Sequence, residues 1–200
     1  WVAYSLNLNK LNAVVKRKDR FKADPFVITG SAEVSDYTRS GFDKGHLAPS
    51  ADMCYSEITM LESFYMSNMS PQNPGFNRGI WKNLEEEVRN WGEKFKEIFI
   101  VTGPVLLESL KTIGKNKVSI PDFYYKVILD TVSKTKKGIG FIMPNKSLKY
   151  PISNFCVPID SVEKVTGIDF FPNLPDSLEN LIESKSDFSV WSIPKTVKID

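Results

Sequence analysis

The stretch Asn77-Arg78-Gly79-Ile80-Trp81-Lys82-Asn83-Leu84-Glu85-Glu86-Glu87-Val88-Arg89-Asn90-Trp91-Gly92-Glu93-Lys94-Phe95 carries a single apolar stripe. Ile80, Leu84, Val88, Trp91 and Phe95 recur at steps of three and four, the period of a helix packed along one side on a core. At 100° per residue, Asn77, Glu85 and Arg89 fall within about 120° of one another, beside that stripe. The three can face a common cleft while the stripe is buried. Glu85 and Arg89 also stand four apart with the acid first, and on spacing alone a helix-stabilising ion pair is the stronger reading. Asn77 lies just ahead of the stripe, where position alone favours a helix N-cap.

On either side of this helix the chain reads as strands and loops. Residues 1–6 form an expected strand, and 64–69, short and partly aromatic, another that ends at Pro71. Ser70-Pro71-Gln72-Asn73-Pro74-Gly75 is a loop by composition. Ile98-Phe99-Ile100-Val101 is a continuous apolar run bounded by Thr102-Gly103-Pro104, as in a buried strand with a sharp exit. Residues 124–129 and 139–143 give two more strands across a turn at 134–138. A short helix is expected over 161–165, with a Ser-x-Glu pattern close to a cap. Several strands around one dominant helix, without βαβ alternation, predict an α+β fold whose sheet is largely antiparallel and flanked by helices.

A chain of 200 residues at 42% hydrophobic suits one domain, 1–200, with a full core. No apolar run approaches the roughly 18 residues needed to cross a bilayer, so a soluble chain is expected. The sequence begins at Trp1 rather than Met, and its start says nothing about export. A net charge of +2 does not by itself announce a nucleic-acid binder. Its distribution is more informative: Lys10, Lys16, Arg17, Lys18, Arg20 and Lys22 crowd the first segment, while 160–187 is mostly acidic. Taken alone, such a cluster reads as a solvated face. Cys54 and Cys156 fit no metal-ligand spacing, and two thiols are favoured over a disulfide.

His46, the only histidine, stands in Asp43-Lys44-Gly45-His46-Leu47-Ala48-Pro49. Hydrolysis of a phosphodiester needs a deprotonated water, neutralised phosphoryl oxygens and a stabilised leaving alkoxide. Histidine can supply the base at neutral pH, although a lone histidine is more often a hydrogen-bonded structural residue. Mg²⁺ takes oxygen ligands and keeps much of its water, so one or two protein groups hold it. Asn77 can offer a carbonyl oxygen, with Glu85 close behind it. No His-x-x-x-His, CxxC, calcium loop, Gly-x-Ser-x-Gly elbow or P-loop competes with this inventory.

In order along the chain, Asp43-Lys44-Gly45-His46-Leu47-Ala48-Pro49, Met66-Ser67-Asn68-Met69-Ser70-Pro71-Gln72 and Asn77-Arg78-Gly79-x-Trp81-x-x-Leu84-Glu85 resemble the DNA/RNA non-specific endonucleases. Trp1-Val2-Ala3-Tyr4, Val101-Thr102-Gly103-Pro104, Ile120-Pro121, Tyr125-Lys126-Val127 and Glu163-x-x-Thr166-Gly167 extend the likeness over most of the sequence. The resemblance implies the ββα-metal (His-Me finger) fold and a metal-dependent endonuclease acting on DNA and RNA with little sequence preference. It implies His46 as general base, Asn77 as the direct ligand of Mg²⁺ (Mn²⁺ as substitute) and Glu85 as the acid that holds the ion's water. Arg89 resembles a phosphate or transition-state contact, and Asn68 and Gln72 match positions that shape the site.

Lys44 stands where the family usually has arginine, so it keeps the charge but loses the bidentate fork. An upstream arginine of the family corresponds to Arg17 or Arg20, with Arg17 the favoured catalytic candidate. Arg20 and Arg78 join Lys44 as candidate substrate contacts. Cys156 matches a position disulfide-bonded in some secreted relatives, but no later cysteine exists to pair with it. Members are secreted, periplasmic or mitochondrial; a secreted or periplasmic setting is expected here, and a homodimer is compatible with the resemblance. The competing expectation is a catalytically impaired, nuclease-like module that binds nucleic acid or protein. A narrower phosphodiesterase acting on small nucleotides or lipids is a third.

Overall fold

The apolar run of residues 98–101 and the alternating stretch 123–130 build the centre of one sheet, and the rest is arranged on its two faces. In the computed structural model, which describes residues 1–192, β1 (Val2–Asn7) is followed by a short helix, α1 (Leu8–Leu11), and a second short helix, α2 (Glu57–Glu62), comes later. β4 (Glu97–Pro104), β7 (Phe123–Asp130), β8 (Lys137–Pro144) and β9 (Cys156–Val157) complete the sheet, in the order β1-β4-β7-β8-β9 with every neighbouring pair antiparallel. A small β5–β6 hairpin (Thr112–Ile113 and Val118–Ser119) stands apart. The α+β, antiparallel expectation holds.

The period-two alternation of β7 divides the interior. Tyr124 and Ile128 face one core with Trp81, Leu84, Val88 and Trp91, whereas Tyr125, Val127 and Leu129 face a second with Ile159, Val162 and Ile182. On the first face lies α3 (Lys82–Phe95), its stripe buried as its spacing predicts. On the second lie α4 (Ile159–Thr166) and α5 (Asp176–Glu183). Gly138 and Gly140 of β8 let them approach: a Cβ at Gly138 would overlap Ile159 and Ile182, and one at Gly140 would overlap Val162. Among the described residues no helix is long and apolar enough to cross a membrane. Cys54 and Cys156 are free thiols.

Three local expectations are corrected. Residues 64–68 are not a strand, because Phe64 is wholly buried at a turn and Met66–Asn68 winds as a 3₁₀ turn. The strand is instead β3 (Met69–Gln72), which pairs antiparallel with β2 (Asp43–His46), Pro71 facing Lys44. A two-stranded ribbon has free edges, so the missing Pro71 N–H is tolerated there. Asn77 is not the cap: Asn73 accepts from the Gly75 and Asn77 amides, Pro74 takes the first helical position, and Asn77 sits within the turn. Finally α4 begins at Ile159, leaving Ser161 inside it, and ends at Gly167 in the left-handed region (φ 66°).

Candidate active site

The β2–β3 ribbon, the wide turn Phe76–Trp81 and α3 follow one another in space as strand, strand and helix around a cleft of about 480 Å³. Arg17, Lys44, His46, Asn77, Arg78, Glu85 and Arg89 all line it. Arg20 is exposed and lies outside this lining. The kink at Gly79 changes the helical phase between Asn77 and Glu85, yet both still open on the same space.

His46 sits at the end of β2, opposite Met69. Its ring stands edge-on to Phe64 at 5.0 Å and tilted to Phe21 at 5.9 Å. Among the described residues Nε2 is enclosed without a partner, and the ring lines the cleft. Burial first, and then the Arg17 charge, push its pKa down to about 4, so the ring is neutral at physiological pH. Behind it, Asn68 Oδ1 accepts from the Ala48 amide at 2.9 Å, and Asn68 Nδ2 donates to the Ala48 and Ser63 carbonyls. These bonds fix the loop after His46. Gln72 is wholly buried against Gly45, where a Cβ would overlap its side chain. Both residues are buried in or beside the ribbon that carries His46.

Asn77 Nδ2 donates to Asp43 Oδ2 at 2.9 Å. A carboxylate only accepts, so the amide is oriented with Oδ1 toward the cleft. Asp43 also takes a forked pair from Arg78, at 2.8 and 2.6 Å, and these donors hold its carboxyl below the usual range against the opposing effect of burial. Arg78 is thereby committed to Asp43, though it is exposed enough to reach a substrate. Asp43 stood in the quoted motif, but only the fold brings it to Asn77.

Arg89 pairs with Asp52 at 2.9 Å, and among the described residues it makes no ion pair with Glu85. The expected i,i+4 pair gives way because Asp52, 1% exposed, is a buried acceptor that also takes the Tyr4 hydroxyl at 2.7 Å. Glu85 is thus left facing the cleft. Burial raises its pKa, Lys126 opposes that, and Asp52 reinforces it. Lys126 is fully buried, its Nζ without a hydrogen-bond partner and 4.8 Å over the Trp81 ring. Asp52 and Lys126 have no spacing relation to α3 and escaped sequence reasoning, although Tyr125-Lys126-Val127 was a matching fragment.

The cationic rim comes from separate segments. Arg17 makes an exposed pair with Asp19 at 2.7 Å, touches Ser50 Oγ at 3.3 Å and lies 5.4 Å over the Phe64 ring. Exposed pairs of this kind contribute only ~0–1 kcal/mol, so a phosphate can displace Asp19. Lys44 Nζ lies 4.9 Å over Phe21. Beside the His46 imidazole, Asn77 Oδ1 and the Glu85 carboxylate offer hard oxygen donors, which suit Mg²⁺ or Mn²⁺.

Fold and site together define a ββα-metal nuclease. The sequence pattern of the DNA/RNA non-specific endonuclease family matches residues 1–177, and the chain belongs to that family. It is 37% identical over 191 residues to Nuclease C1 of Cunninghamella echinulata var. echinulata, covering 87% of this chain and 76% of that protein. Human mitochondrial endonuclease G is 33% identical over 189 residues, with 87% of this chain and 64% of that protein covered. Mouse mitochondrial nuclease EXOG is 35% identical over 195 residues, and this chain spans 53% of its length. An EndoG chain solved in complex with EndoGI superposes with a TM-score of 0.84 at 33% identity, over 93% of this chain and 83% of that one.

Proposed function

We propose that this chain is a Mg²⁺-dependent endonuclease that hydrolyses phosphodiester bonds of DNA and RNA with little sequence preference. The observation that carries this reading is the meeting, in one cleft, of the His46 imidazole with the Asn77 amide that Asp43 holds in place. Family membership gives nucleic-acid hydrolysis as the reaction class.

His46 takes the proton of the attacking water. Its neutral state at physiological pH suits that role, and such a base typically contributes about 10² to 10⁴ in rate. Asn77 Oδ1 would hold the divalent ion, with Glu85 beside it. When bound, the ion supplies positive charge against the phosphoryl oxygens and the leaving alkoxide. Arg89, fixed by Asp52, neutralises phosphate charge from the helix side, and Arg17 and Lys44 do so from the rim. Cations that meet phosphates rather than base edges would bind without regard to sequence. The reading includes a secreted or periplasmic setting, supported by family likeness alone.

A supercoiled plasmid and a single-stranded RNA, each incubated with Mg²⁺ and with EDTA, test this reading. The enzyme nicks the plasmid and degrades the RNA only with Mg²⁺. A nuclease-like binding module would retain the plasmid in a mobility shift and leave it supercoiled in both lanes.

A further inference from the structure

On the face of the sheet opposite the cleft, α4 and α5 bring three carboxylates together. Asp160 and Glu163 stand one turn apart on α4, and Glu183 closes α5. One oxygen from each lies within 4.8 Å of the other two. The sheet causes the meeting: Gly138 admits Ile159 and Ile182 side by side, Gly140 admits Val162, and Asp160, Glu183 and Glu163 directly follow these three in sequence. Glu183 is 4% exposed, and among the described residues its buried Oε1 has no hydrogen-bond partner. Glu163 Oε1 accepts the Phe170 amide at 2.7 Å, which fixes that side chain in the cluster. Asp160 is exposed and leaves one side open to water.

We propose that Asp160, Glu163 and Glu183 form a structural site for a divalent cation of the calcium class, separate from the catalytic cleft. Among the described residues none of the three makes an ion pair with a side-chain cation. Burial, followed by the charges of Glu163, Glu179, Asp160 and Asp169, pushes the Glu183 carboxyl up to about 8. A group so placed gains most from a bound cation. Ca²⁺ takes six to eight oxygens at about 2.3–2.6 Å, so its shell is about 4.6–5.2 Å across, and it accepts waters on an open side. Mg²⁺ demands a strict octahedron and dehydrates reluctantly, so one exposed, one half-buried and one buried acid suit the more adaptable Ca²⁺ shell. The ion would tie α4 to α5 and hold both against β8.

Calorimetric titration of CaCl₂ into the whole chain carrying Asn77→Ala, which disables the cleft, isolates this site. One binding event is expected, lost in the Asn77→Ala/Glu183→Gln and Asn77→Ala/Asp160→Asn double variants. Thermal unfolding should shift upward by about 5–10 °C at a hundredfold excess of Ca²⁺ over Kd in Asn77→Ala, and not in the double variants. Asp160 is exposed, so its variant folds even if the buried Glu183 change does not. Absence of Ca²⁺ heat in Asn77→Ala overturns the proposal, as does binding that survives Asp160→Asn. A Glu183→Gln variant more stable than its parent, without any Ca²⁺ response in either, would assign the cluster to a shared proton instead.

Discussion

Asp43 and Asn77, thirty-four positions apart in sequence, meet through one hydrogen bond of 2.9 Å, and that bond decides which face of the amide the cleft sees. An unanchored asparagine would present nitrogen and oxygen about equally. The aspartate removes that freedom, in the way a carboxylate behind a metal-ligating histidine fixes its tautomer.

Asp43→Ala should therefore weaken Mg²⁺ binding with Asn77 still in place. An outer-shell partner of this kind is worth about 10- to 100-fold in metal affinity. The Mg²⁺ dependence of plasmid nicking measures it, and an unchanged midpoint would detach Asp43 from the amide's function.

His46 is neutral because its pKa, about 4 in the folded chain, lies below the unfolded value of about 6.5. Between these values the unfolded state binds a proton that the folded state refuses. Stability is thus fully present above pH ~6.5 and is lost as pH falls toward ~4, by roughly 3 kcal/mol in total. Urea unfolding across this range should show the loss, and His46→Phe should flatten it. At saturating Mg²⁺ the acid limb of kcat/KM should likewise lie below pH ~6.5.

Glu85 has its pKa raised by burial, so a proton competes with the divalent ion at the cleft. Mg²⁺ affinity should rise between pH ~6 and ~8, and Glu85→Gln should abolish that slope. Lys126→Met removes the buried positive charge that restrains the rise and should move the slope to higher pH. Isotherms at three pH values suffice, and equal slopes in the parent and in Glu85→Gln would place the competing proton elsewhere.

Asp52 is the shared acceptor of Arg89 and Tyr4. Asp52→Ala strands both and should cost about 3 kcal/mol. Tyr4→Phe, which leaves the ion pair intact, should cost about 1 kcal/mol and preserve kcat. Denaturant midpoints paired with initial rates distinguish the two.

Sequence patterns carried the helix and the central strands, because periodic burial is a local property. The stripe Ile80–Leu84–Val88–Trp91–Phe95 and the run at 98–101 each announce their own environment. The ribbon did not announce itself: Met69–Gln72 contains Pro71, and only its pairing with Asp43–His46 makes it a strand. The same limit applies to the site. His46, Asn77, Glu85 and Arg89 carry recognisable chemistry, and all line the cleft. The residues that orient them come from elsewhere: Asp52 and Tyr4 support Arg89, while Lys126 acts on Glu85 from β7. Such partnerships arise across 37 or 48 positions and leave no spacing behind.

The most direct measurement is single-turnover cleavage of a defined DNA duplex by His46→Ala at saturating Mg²⁺, with and without added imidazole. The cleavage rate should fall by about 10² to 10⁴ while duplex affinity holds, and imidazole, entering the space between Phe21 and Phe64, should restore part of it. A variant that cuts at the parent rate would contradict the assignment of His46 as the base.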